Sequence, residues 1–388
     1  MREGWEYKKL GQVCTSDLGK TLNKSKDRGE LHPYLCSINI LWDKIDLSTL
    51  KQACFEADEQ EKYSVRKGDL LVCEGGDTGR SAIWDRDETI LYQNALHRLR
   101  FHESVSPKFV LFYLLYLKDI GEIDNKYSKG VTIKHLVKKA LLSIPLPIPP
   151  KSTQLSIVSE LDKINELIRI KKEQLKDYDT LAQSIFYEMF GDPVENEKGW
   201  EVKTFGEIGT LERGAGISKK DFVDDGLPCI HYGQLHTIFG AYTRKTITFI
   251  PKDLHPKYKI AYPGDLILAI TSEDVEGSCK STAWLGNFDV VVGSDAAIFH
   301  HNQNGIYLSY YTRTKAFYNE KAKYAKGFKV THISTKEIAS ISICVPPLSI
   351  QNTFANKIEQ IERQKTIIQE SIADLETLLA SRMQYWFD

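Results

Sequence analysis

Two stretches of the chain carry apolar residues at the spacing of a heptad repeat, and each follows a Pro-Pro pair. In residues 151–190 and 348–388 these positions are separated alternately by four and by three residues. The residues taken as the apolar stripe from these positions are Ile157, Leu161, Ile164, Ile168, Leu175, Tyr178 and Ile185 in the first stretch, and Phe354, Ile358, Ile361, Ile368, Ile372, Leu375 and Leu379 in the second, so that a few heptad positions are skipped. The pattern is typical of a coiled coil and predicts two long helices, the first with Ser152 as its N-cap.

A lysine interrupts each apolar stripe near its centre, Lys171 in the first stretch and Lys365 in the second. Two interpretations remain open. The lysine either fixes the register of helix pairing, or lays its aliphatic chain along the seam while its ammonium group reaches water.

The rest of the chain contains short β-rich runs that are separated by glycines. Residues 69–73, 82–85, 265–269 and 290–292 predict strands. Residues 107–118 and 306–321 predict amphipathic helices. This mixture of strands and helices predicts an α+β fold.

The order of these segments repeats along the chain. Gly4-Trp5-Glu6 returns as Gly199-Trp200-Glu201, and the Gly-Asp-Leu run of residues 68–70 returns at 264–266. The Tyr-x-Lys-Gly motif of residues 127–130 returns at 324–327, 197 positions later, and the Pro-Pro pairs have the same offset. The small differences in offset indicate insertions in loops. The chain therefore contains two copies of one unit, a globular domain followed by a helix.

A single helix cannot bury its own apolar stripe, so the two helices are expected to pair within the chain. If a pseudo-twofold axis relates the two copies, the helices run antiparallel as a coiled coil. The predicted fold is therefore two tandem α+β domains, each followed by a long helix. The predicted boundaries are 1–150 and 191–347 for the domains, and 151–190 and 348–388 for the helices.

Composition is that of a soluble globular protein. The 388 residues are 42% hydrophobic and 27% charged, with a net charge of −1, and no apolar run reaches the roughly 18 residues of a membrane span. The seven cysteines occur singly, without a CxxC pair. They predict reduced thiols in the cytoplasm rather than disulfides or a zinc site. Because the net charge is near zero, binding to nucleic acid would depend on local basic patches.

The sequence contains no motif that predicts catalysis. It lacks the Asn/Asp-Pro-Pro-Tyr/Phe tetrapeptide of amino-methyltransferases, an HExxH pair and a G-x-S-x-G elbow. The glycine-rich residues 74–81 do not have the spacing of a phosphate loop, and the second copy loses most of their glycines. We therefore predict no catalytic residue and no metal site.

Two matched segments concentrate lysines around a Lys-Gly dipeptide. Residues 126–139 contain five lysines and no acid, and residues 321–329 contain four lysines. A solvated loop is the alternative for either segment alone, but recurrence at the same place in both copies favours binding of phosphates. The predicted DNA contacts are Lys129, Gly130, Thr132, Lys134 and His135 in the first copy, and Lys326, Gly327, Lys329, Thr331 and His332 in the second.

Other matched loops carry polar residues that differ between the two copies. Residues 20–28 correspond to 215–223, and residues 34–39 correspond to 229–234. Further predicted DNA contacts are Lys20, Lys24, Lys26, Arg28, Ser37, Asn39 and Arg80 in the first copy, and Lys219, Lys220, His231, Tyr232, Gln234 and Lys280 in the second. One framework with different polar residues would read two different sequences, so an asymmetric, bipartite DNA site is expected.

Taken together, these features resemble the specificity subunits of type I restriction-modification systems over essentially the whole chain. The resemblance rests on the Gly-Trp-Glu start of each half, the Gly-Asp-Leu strand, the Lys-Gly loop, the Pro-Pro exit and the heptad helix. The junction Met189-Phe190-Gly191-Asp192-Pro193 is also similar to the family's linker. The Lys-Gly loops depart from the family's commoner Gly-Thr-Thr form, because Val131-Thr132 and Phe328-Lys329 follow the glycines.

The resemblance implies a non-catalytic, cytoplasmic subunit whose two target-recognition domains each read one half of a double-stranded DNA site. The helices would set the spacing and dock two methyltransferase (M) subunits, which restriction (R) subunits then join. S-adenosylmethionine, ATP and Mg²⁺ are expected on those partners, with no cofactor on this chain and no membrane partner. The alternatives are the specificity subunit of a type IIB-like system and a coiled-coil scaffold that binds protein rather than DNA.

Overall fold

The computed structural model describes residues 4–23, 25, 27–130, 134–253, 258–325 and 330–388. The chain divides into two compact units. Unit 1 contains Met1–Lys172 and Glu370–Asp388, and unit 2 contains Glu173–Gln369. Each unit therefore combines a globular domain with parts of both long helices.

In unit 1 the strands are β1 (Glu6–Lys9), β2 (Cys14–Leu18), β3 (Glu30–Leu35), β4 (Ile40–Leu41), β5 (Lys44–Ile45), β6 (Lys51–Phe55), β7 (Ser64–Val65), β8 (Leu70–Cys73), β9 (Ser81–Ile83), β10 (Ile90–Tyr92), β11 (Leu96–Phe101) and β12 (Pro145–Ile148). They form sheets in the orders β6-β3-β10-β7 and β2-β11-β8-β9, with the pairs β1-β12 and β4-β5. All pairs are antiparallel except β3 with β10.

In unit 2 the strands are β13 (Glu201–Thr204), β14 (Gly209–Arg213), β15 (Leu227–Ile230), β16 (Tyr242–Thr243), β17 (Thr248–Ile250), β18 (Lys259–Ala261), β19 (Leu266–Ala269), β20 (Thr271–Ser272), β21 (Ser281–Trp284), β22 (Val290–Val292), β23 (Ala296–His301), β24 (Thr331–His332) and β25 (Ser342–Val345). Their sheets have the orders β17-β15-β22-β18 and β14-β23-β19-β21-β16, with the pairs β13-β25 and β20-β24. The pair β15-β22 is parallel, like its counterpart β3-β10. Unit 2 repeats the strand order of both main sheets of unit 1, with β16 as an additional edge strand, which confirms the internal duplication.

The α-helices are α1 (Ala57–Lys62), α2 (Pro107–Asp119), α3 (Lys138–Leu142), α4 (Lys151–Phe190), α5 (Phe205–Ile208), α6 (Tyr232–Thr237), α7 (Gly305–Tyr311), α8 (Lys315–Ala322), α9 (Thr335–Ala339) and α10 (Leu348–Phe387). The prediction of one helix over residues 306–321 is wrong. The chain breaks into α7 and α8 because Thr314 adopts an extended conformation and its hydroxyl caps the Phe317 N–H. Because α4 begins at Lys151, the predicted N-cap Ser152 lies inside its first turn.

The two long helices, α4 and α10, pair antiparallel in each unit. In unit 1, Arg382 Nη2 donates to Glu160 Oε2 at 3.2 Å, and Lys172 Nζ donates to Glu376 Oε1 at 2.7 Å. Residue numbers thus rise along α4 while they fall along α10.

In unit 2, Asp179 pairs with Lys365 at 2.7 Å, and the ring of Phe186 lies 5.6 Å from that of Phe354. All fourteen predicted coiled-coil residues are buried or half-buried. Lys365 also bonds Glu362, so its ammonium group is held by two carboxylates.

A buried glutamine joins the first turn of each long helix to its domain. Gln154 accepts from Ser106 N at 2.9 Å and donates to the Pro149 carbonyl, also at 2.9 Å. Gln351 accepts from Asn304 N at 2.9 Å and donates to the Pro346 carbonyl at 2.8 Å. Both side chains are fully buried. Each domain therefore holds its outgoing helix by specific hydrogen bonds in addition to apolar packing.

Apolar side chains fill the space between the two main sheets of each unit. In unit 1 they include Leu35, Leu71 and Trp84, and in unit 2 Ile230 and Trp284. All seven cysteines lie in the described part of the chain as free thiols, six of them buried. Among the helices that the structure describes, none is long and apolar enough to span a membrane.

Candidate nucleic-acid interface

The Lys-Gly loop of unit 1, residues 129–135, is closed at its base by two backbone hydrogen bonds. Lys129 N donates to the His135 carbonyl at 2.9 Å, and His135 N donates to the Lys129 carbonyl at 2.8 Å. Gly130 has a φ of 121°, which side-chain-bearing residues rarely adopt. Lys129, Gly130 and His135 are exposed and Lys134 is half-buried, whereas Thr132 lies outside the described residues. The loop thus presents cations and an imidazole from a fixed base.

The loop of unit 1 is anchored on the end of strand β8. Leu136 N donates to the Glu74 carbonyl at 2.7 Å, and the buried His97 Nε2 bonds the Leu136 carbonyl at 2.8 Å. Burial lowers the pKa of His97, so this imidazole is neutral and donates its proton to the carbonyl. A Cβ on Gly75 would lie 3.3 Å from the His135 ring, so the glycine allows a close approach of the loop.

In unit 2 the described end of the equivalent segment, residues 331–333, is anchored in the same way. Ile333 N donates to the Ile270 carbonyl at 3.1 Å, and β24 pairs with β20. The hydroxyl of Thr271 and Nδ1 of His332 are hydrogen-bonded at 3.2 Å. Thr331 is buried and His332 half-buried. The predicted residues Lys326, Gly327 and Lys329 lie outside the described part of the chain.

A short helix follows strand β3 in unit 1 and strand β15 in unit 2. These two turn helices are Ser37–Asn39 and α6. Asn39 Oδ1 accepts from Cys36 N at 3.0 Å, and Gln234 Oε1 accepts from His231 N at 2.9 Å. Both amide side chains are buried. Asn39 and Gln234 therefore shape the turn helices from inside and do not present their amide groups to a ligand.

One cation ties each turn helix to the neighbouring sheet. Arg80 Nη2 donates to the Ser37 carbonyl at 3.0 Å, and Lys280 Nζ donates to the His236 carbonyl at 2.8 Å. Both side chains are half-buried. Arg80 and Lys280 occupy matched places, so the structure brings these predicted residues next to the turn helices as positioning groups.

In unit 2, α6 and the anchor of the Lys-Gly loop form one connected cluster. His236 Nε2 bonds the Thr271 carbonyl at 3.1 Å, and Thr271 in turn bonds His332. The ring of Tyr232 lies 4.6 Å from that of His231 and is partly exposed. Sequence reasoning missed His236 and Thr271; the only available signal was their position beside predicted residues in the matched segments.

His231 is buried at the start of α6, where its Nδ1 accepts from Gly233 N at 3.2 Å. Burial, followed by the positive charge of Lys219, lowers the pKa of His231, so its ring is neutral. Lys219 and Lys220 are themselves exposed. Lys219 thus adds an available positive charge near α6.

The predicted DNA contacts in residues 20–28 differ in their exposure to solvent. The buried Lys20 donates to Glu59 Oε2 at 2.6 Å and to the Cys54 carbonyl at 2.8 Å, whereas Arg28 is exposed. Lys24 and Lys26 lie outside the described residues. The charge of Lys20 is therefore satisfied inside unit 1.

Lys321, in the second lysine-rich segment, is also bound inside its unit rather than exposed. It is buried, and its ammonium group donates to the carbonyl oxygens of Glu276 at 2.9 Å and Ser278 at 2.6 Å. Burial lowers its pKa. A lysine count alone could not separate this structural cation from the exposed Lys323.

Each unit thus has a turn helix and a backbone anchor beside the Lys-Gly segment on one matched framework, with different side chains. Exposed lysines neutralise phosphates, and partly exposed Tyr, His and Ser side chains donate and accept hydrogen bonds as base edges do. The arrangement is suited to binding a polyanion with recognition of particular groups.

The family model of the type I restriction modification DNA specificity domain matches residues 2–177 and 197–377. The chain is 23% identical to the type I restriction enzyme MjaVIII specificity subunit of Methanocaldococcus jannaschii, over 93% of this chain and 86% of that protein. A solved chain from a study of assembly and conformational transition of the type I R-M system has a TM-score of 0.61 at 18% identity, covering 100% of this chain and 98% of that one. The type I restriction-modification S subunit from M. genitalium has a TM-score of 0.54 at 13% identity, with coverages of 99% and 96%. Because the family's domain accounts for both halves of the sequence, this chain belongs to the type I restriction-modification DNA specificity family.

Proposed function

We propose that this chain is the non-catalytic, sequence-reading subunit of a cytoplasmic type I restriction-modification complex. Each unit reads one half of an asymmetric, bipartite site in double-stranded DNA. The observation that carries the proposal is the repeated anchor, Leu136 N to the Glu74 carbonyl in unit 1 and Ile333 N to the Ile270 carbonyl in unit 2. The same backbone geometry holds loops of different sequence, as two readers with different targets require.

We propose a smaller set of DNA contacts than the sequence alone suggests, chosen by the exposure of each side chain. Side chains that are exposed or partly exposed on the loops and turn helices form the proposed contacting set. They are Arg28, Ser37, Lys129, Lys134 and His135 in unit 1, and Lys219, Lys220, Tyr232 and His332 in unit 2. Arg80 and Lys280 support the turn helices, and the buried Lys20, Asn39, His231, Gln234 and Thr331 support the framework. The proposed contacts at Lys24, Lys26, Thr132, Lys326, Gly327 and Lys329 rest on the sequence alone.

The helices α4 and α10, each of 40 residues, are proposed to set the spacing of the two half-sites and to dock two methyltransferase subunits. Methylation and cleavage then belong to the methyltransferase and restriction subunits, which bind S-adenosylmethionine, ATP and Mg²⁺. Support comes from the family and from the absence of a recognisable catalytic motif in the sequence.

Genome-wide mapping of adenine methylation with and without the gene for this chain tests the proposal. We expect one bipartite motif to lose methylation on deletion and to regain it on complementation. Replacing residues 1–150 by the matching domain of a relative should change one half of that motif and leave the other half intact. An unchanged methylome after deletion would refute the proposed function, and a change in both halves would refute the assignment of one unit to one half-site.

A further inference from the structure

In each unit the segment that leads away from the turn helix runs along the edge of a main sheet. In unit 1 this segment is the β4–β5 hairpin, whose Asp43 N donates to the Ser81 carbonyl of β9 at 3.0 Å. In unit 2 it is β16, which pairs in parallel with β21 through Tyr242 and Ala283. The two segments thus occupy matched edges, although one is a hairpin and the other a single strand.

Both edge segments are tied by charged groups to a long helix. In unit 1 the Asp43 carboxylate accepts from Lys108 Nζ at 2.6 and 2.7 Å and from Asn165 Nδ2 at 3.3 Å. Lys108 also pairs with Asp162 of α4 at 3.1 Å. The side chains of Asp43 and Lys108 are 20% and 26% exposed. The network therefore joins the hairpin, α2 and α4 at a site with restricted access to water.

In unit 2, Arg244 Nη2 donates to Glu359 Oε1 of α10 at 2.8 Å. Arg363 of the same helix also pairs with Glu359, at 3.7 Å. Asp162 and Glu359 are 197 positions apart, the offset that also relates Gln154 to Gln351. The acidic residue therefore occupies the same helix position in both units. Asp162 of α4 contacts the edge segment of unit 1 through Lys108 of α2, whereas Glu359 of α10 binds Arg244, next to β16, directly.

Stability alone does not account for the tie in unit 2. Arg244 is 54% exposed, and ion pairs with such exposure contribute little to the free energy of unfolding. The acids at matched positions of the two long helices, Asp162 and Glu359, bind different basic residues in the two units. What the two contacts share is the pair of elements that they join. One of these elements is the edge segment that follows the turn helix. The other is the long helix that is proposed to set the spacing between the half-sites.

We infer that Asp43–Lys108–Asp162 and Arg244–Glu359 are positioning contacts, which fix the turn helix of each unit on its long helix and so determine which spacer between the half-sites the protein accepts. The inference rests on the proposed function. One base pair displaces a half-site by about 3.4 Å along the DNA axis. A turn helix that is not held in place on its long helix can move toward a displaced half-site, so an altered spacer is rejected less strongly than by the native protein.

The test uses the full chain assembled with its methyltransferase partner. The probes are duplexes that carry the motif found by methylation mapping, with the native spacer or with one base pair added or removed. The variants are Arg244→Glu, Glu359→Arg and the double exchange, with Glu359→Gln as the mildest change. We expect each single variant to lose at least three-fold of the discrimination between native and altered spacers, and the double exchange to restore most of it.

Exchange of Lys252 and Asp225 is the matched control, because this exposed pair at 2.9 Å lies within the globular domain of unit 2 and does not involve a long helix. In unit 1, Asp43→Asn should reduce spacer discrimination as Glu359→Gln does in unit 2. Wild-type discrimination in Glu359→Gln and Asp43→Asn, with unchanged thermal unfolding, would overturn the inference. So would single variants whose loss the double exchange does not repair. If the native protein shows no preference for any bipartite duplex, the proposed function fails, and the inference fails with it.

Discussion

The ring of Phe387, near the end of α10, packs against Tyr113 of α2 with centroids 5.3 Å apart. Phe109 and Tyr116 complete the aromatic cluster, at 5.5 and 5.6 Å from Phe387. Unit 2 has a matched contact, in which Phe190 at the end of α4 lies 4.7 Å from Tyr307 of α7. Each globular domain is thus completed by the end of a helix that begins in the other unit, and in unit 1 the contributing residues lie far away in the sequence.

Phe387→Ala should destabilise unit 1, although residue 387 is remote in sequence from the globular domain of that unit. Removing an aromatic ring from a packed cluster costs about 3 kcal/mol when the ring is buried, and somewhat less for the half-buried Phe387. Hydrogen exchange measured by mass spectrometry should show faster exchange in α2 and little change in α7. Tyr385→Ala is the control, because Tyr385 is 53% exposed on the same turn of helix. Equal effects of the two substitutions on α2 would contradict the prediction.

The buried glutamines predict a second effect on stability. Gln154→Ala leaves the Ser106 N–H and the Pro149 carbonyl without their partner in a buried site, which costs about 1–3 kcal/mol. Urea unfolding should therefore show a lower midpoint for Gln154→Ala, and similarly for Gln351→Ala. Gln174→Ala serves as the control, since Gln174 is exposed on α4. If the midpoint stays at the wild-type value in both buried variants, water replaces the glutamine and the anchor is not required.

Patterns that repeat along the chain made the fold predictable. The heptad stripes predicted both long helices, and the recurring Gly-Trp-Glu, Gly-Asp-Leu and Pro-Pro motifs predicted the duplication, because these signals need no knowledge of distant contacts. The split at Thr314 was missed, since a threonine is compatible with a helix interior until its hydroxyl finds the Phe317 N–H.

The candidate site was harder to predict, because side-chain direction depends on tertiary partners. Lys20 and Lys129 are both lysines in polar loops of the sequence, yet Glu59 and the Cys54 carbonyl bind Lys20 inside unit 1 while Lys129 is exposed. Asn39 reads as a polar residue in a variable loop, but its side chain satisfies the backbone at Cys36. The sequence locates the loops, but it does not show which of their polar side chains bond inside the unit and which are exposed.

Lys129, which is exposed, and Lys134, which is half-buried, predict a change in the salt dependence of binding. Lys129→Ala and Lys134→Ala should each reduce the slope of log Kd against log salt by about 0.9, because each removes roughly one phosphate contact. Fluorescence anisotropy with the duplex found by methylation mapping, at several salt concentrations, measures this slope.

Two lysine variants of unit 1 separate phosphate contact from general effects. Lys67→Ala removes a lysine that is 60% exposed but pairs with Asp87, and it should leave the slope unchanged. Lys20→Met should lower the unfolding midpoint, because it removes the hydrogen bonds of the buried ammonium group to Glu59 and to the carbonyl of the half-buried Cys54. If Lys67→Ala changes the slope of log Kd against log salt as much as Lys129→Ala does, the Lys-Gly loop makes no specific phosphate contact and is an ordinary solvated loop.

His301 of unit 2 predicts a dependence of stability on pH that unit 1 lacks at the matched position, which is Phe101 in β11. The imidazole Nδ1 accepts from Gln303 N at 3.2 Å, and burial, as the largest cause, lowers the pKa of His301 to about 4. In the unfolded chain the imidazole titrates near its ordinary value of about 6.5. Between these two values the unfolded chain binds more protons than the folded one. The stabilisation from the neutral ring is therefore complete above about pH 6.5 and is lost progressively as the pH falls toward 4.

His301→Phe introduces the residue of unit 1 and removes this titration. Wild-type protein should lose stability more steeply than the variant between pH 6.5 and pH 4, with a difference in slope of at most about 1.4 kcal/mol per pH unit. Urea unfolding at a series of pH values, followed by hydrogen exchange in β23, measures the difference and assigns it to unit 2. Parallel pH profiles for the two proteins would show that the imidazole is protonated in the folded state as readily as in the unfolded chain. If the free energy of unfolding falls more steeply with falling pH in His301→Phe than in the wild type, the prediction is wrong. The protonated imidazole then stabilises the folded state at this position.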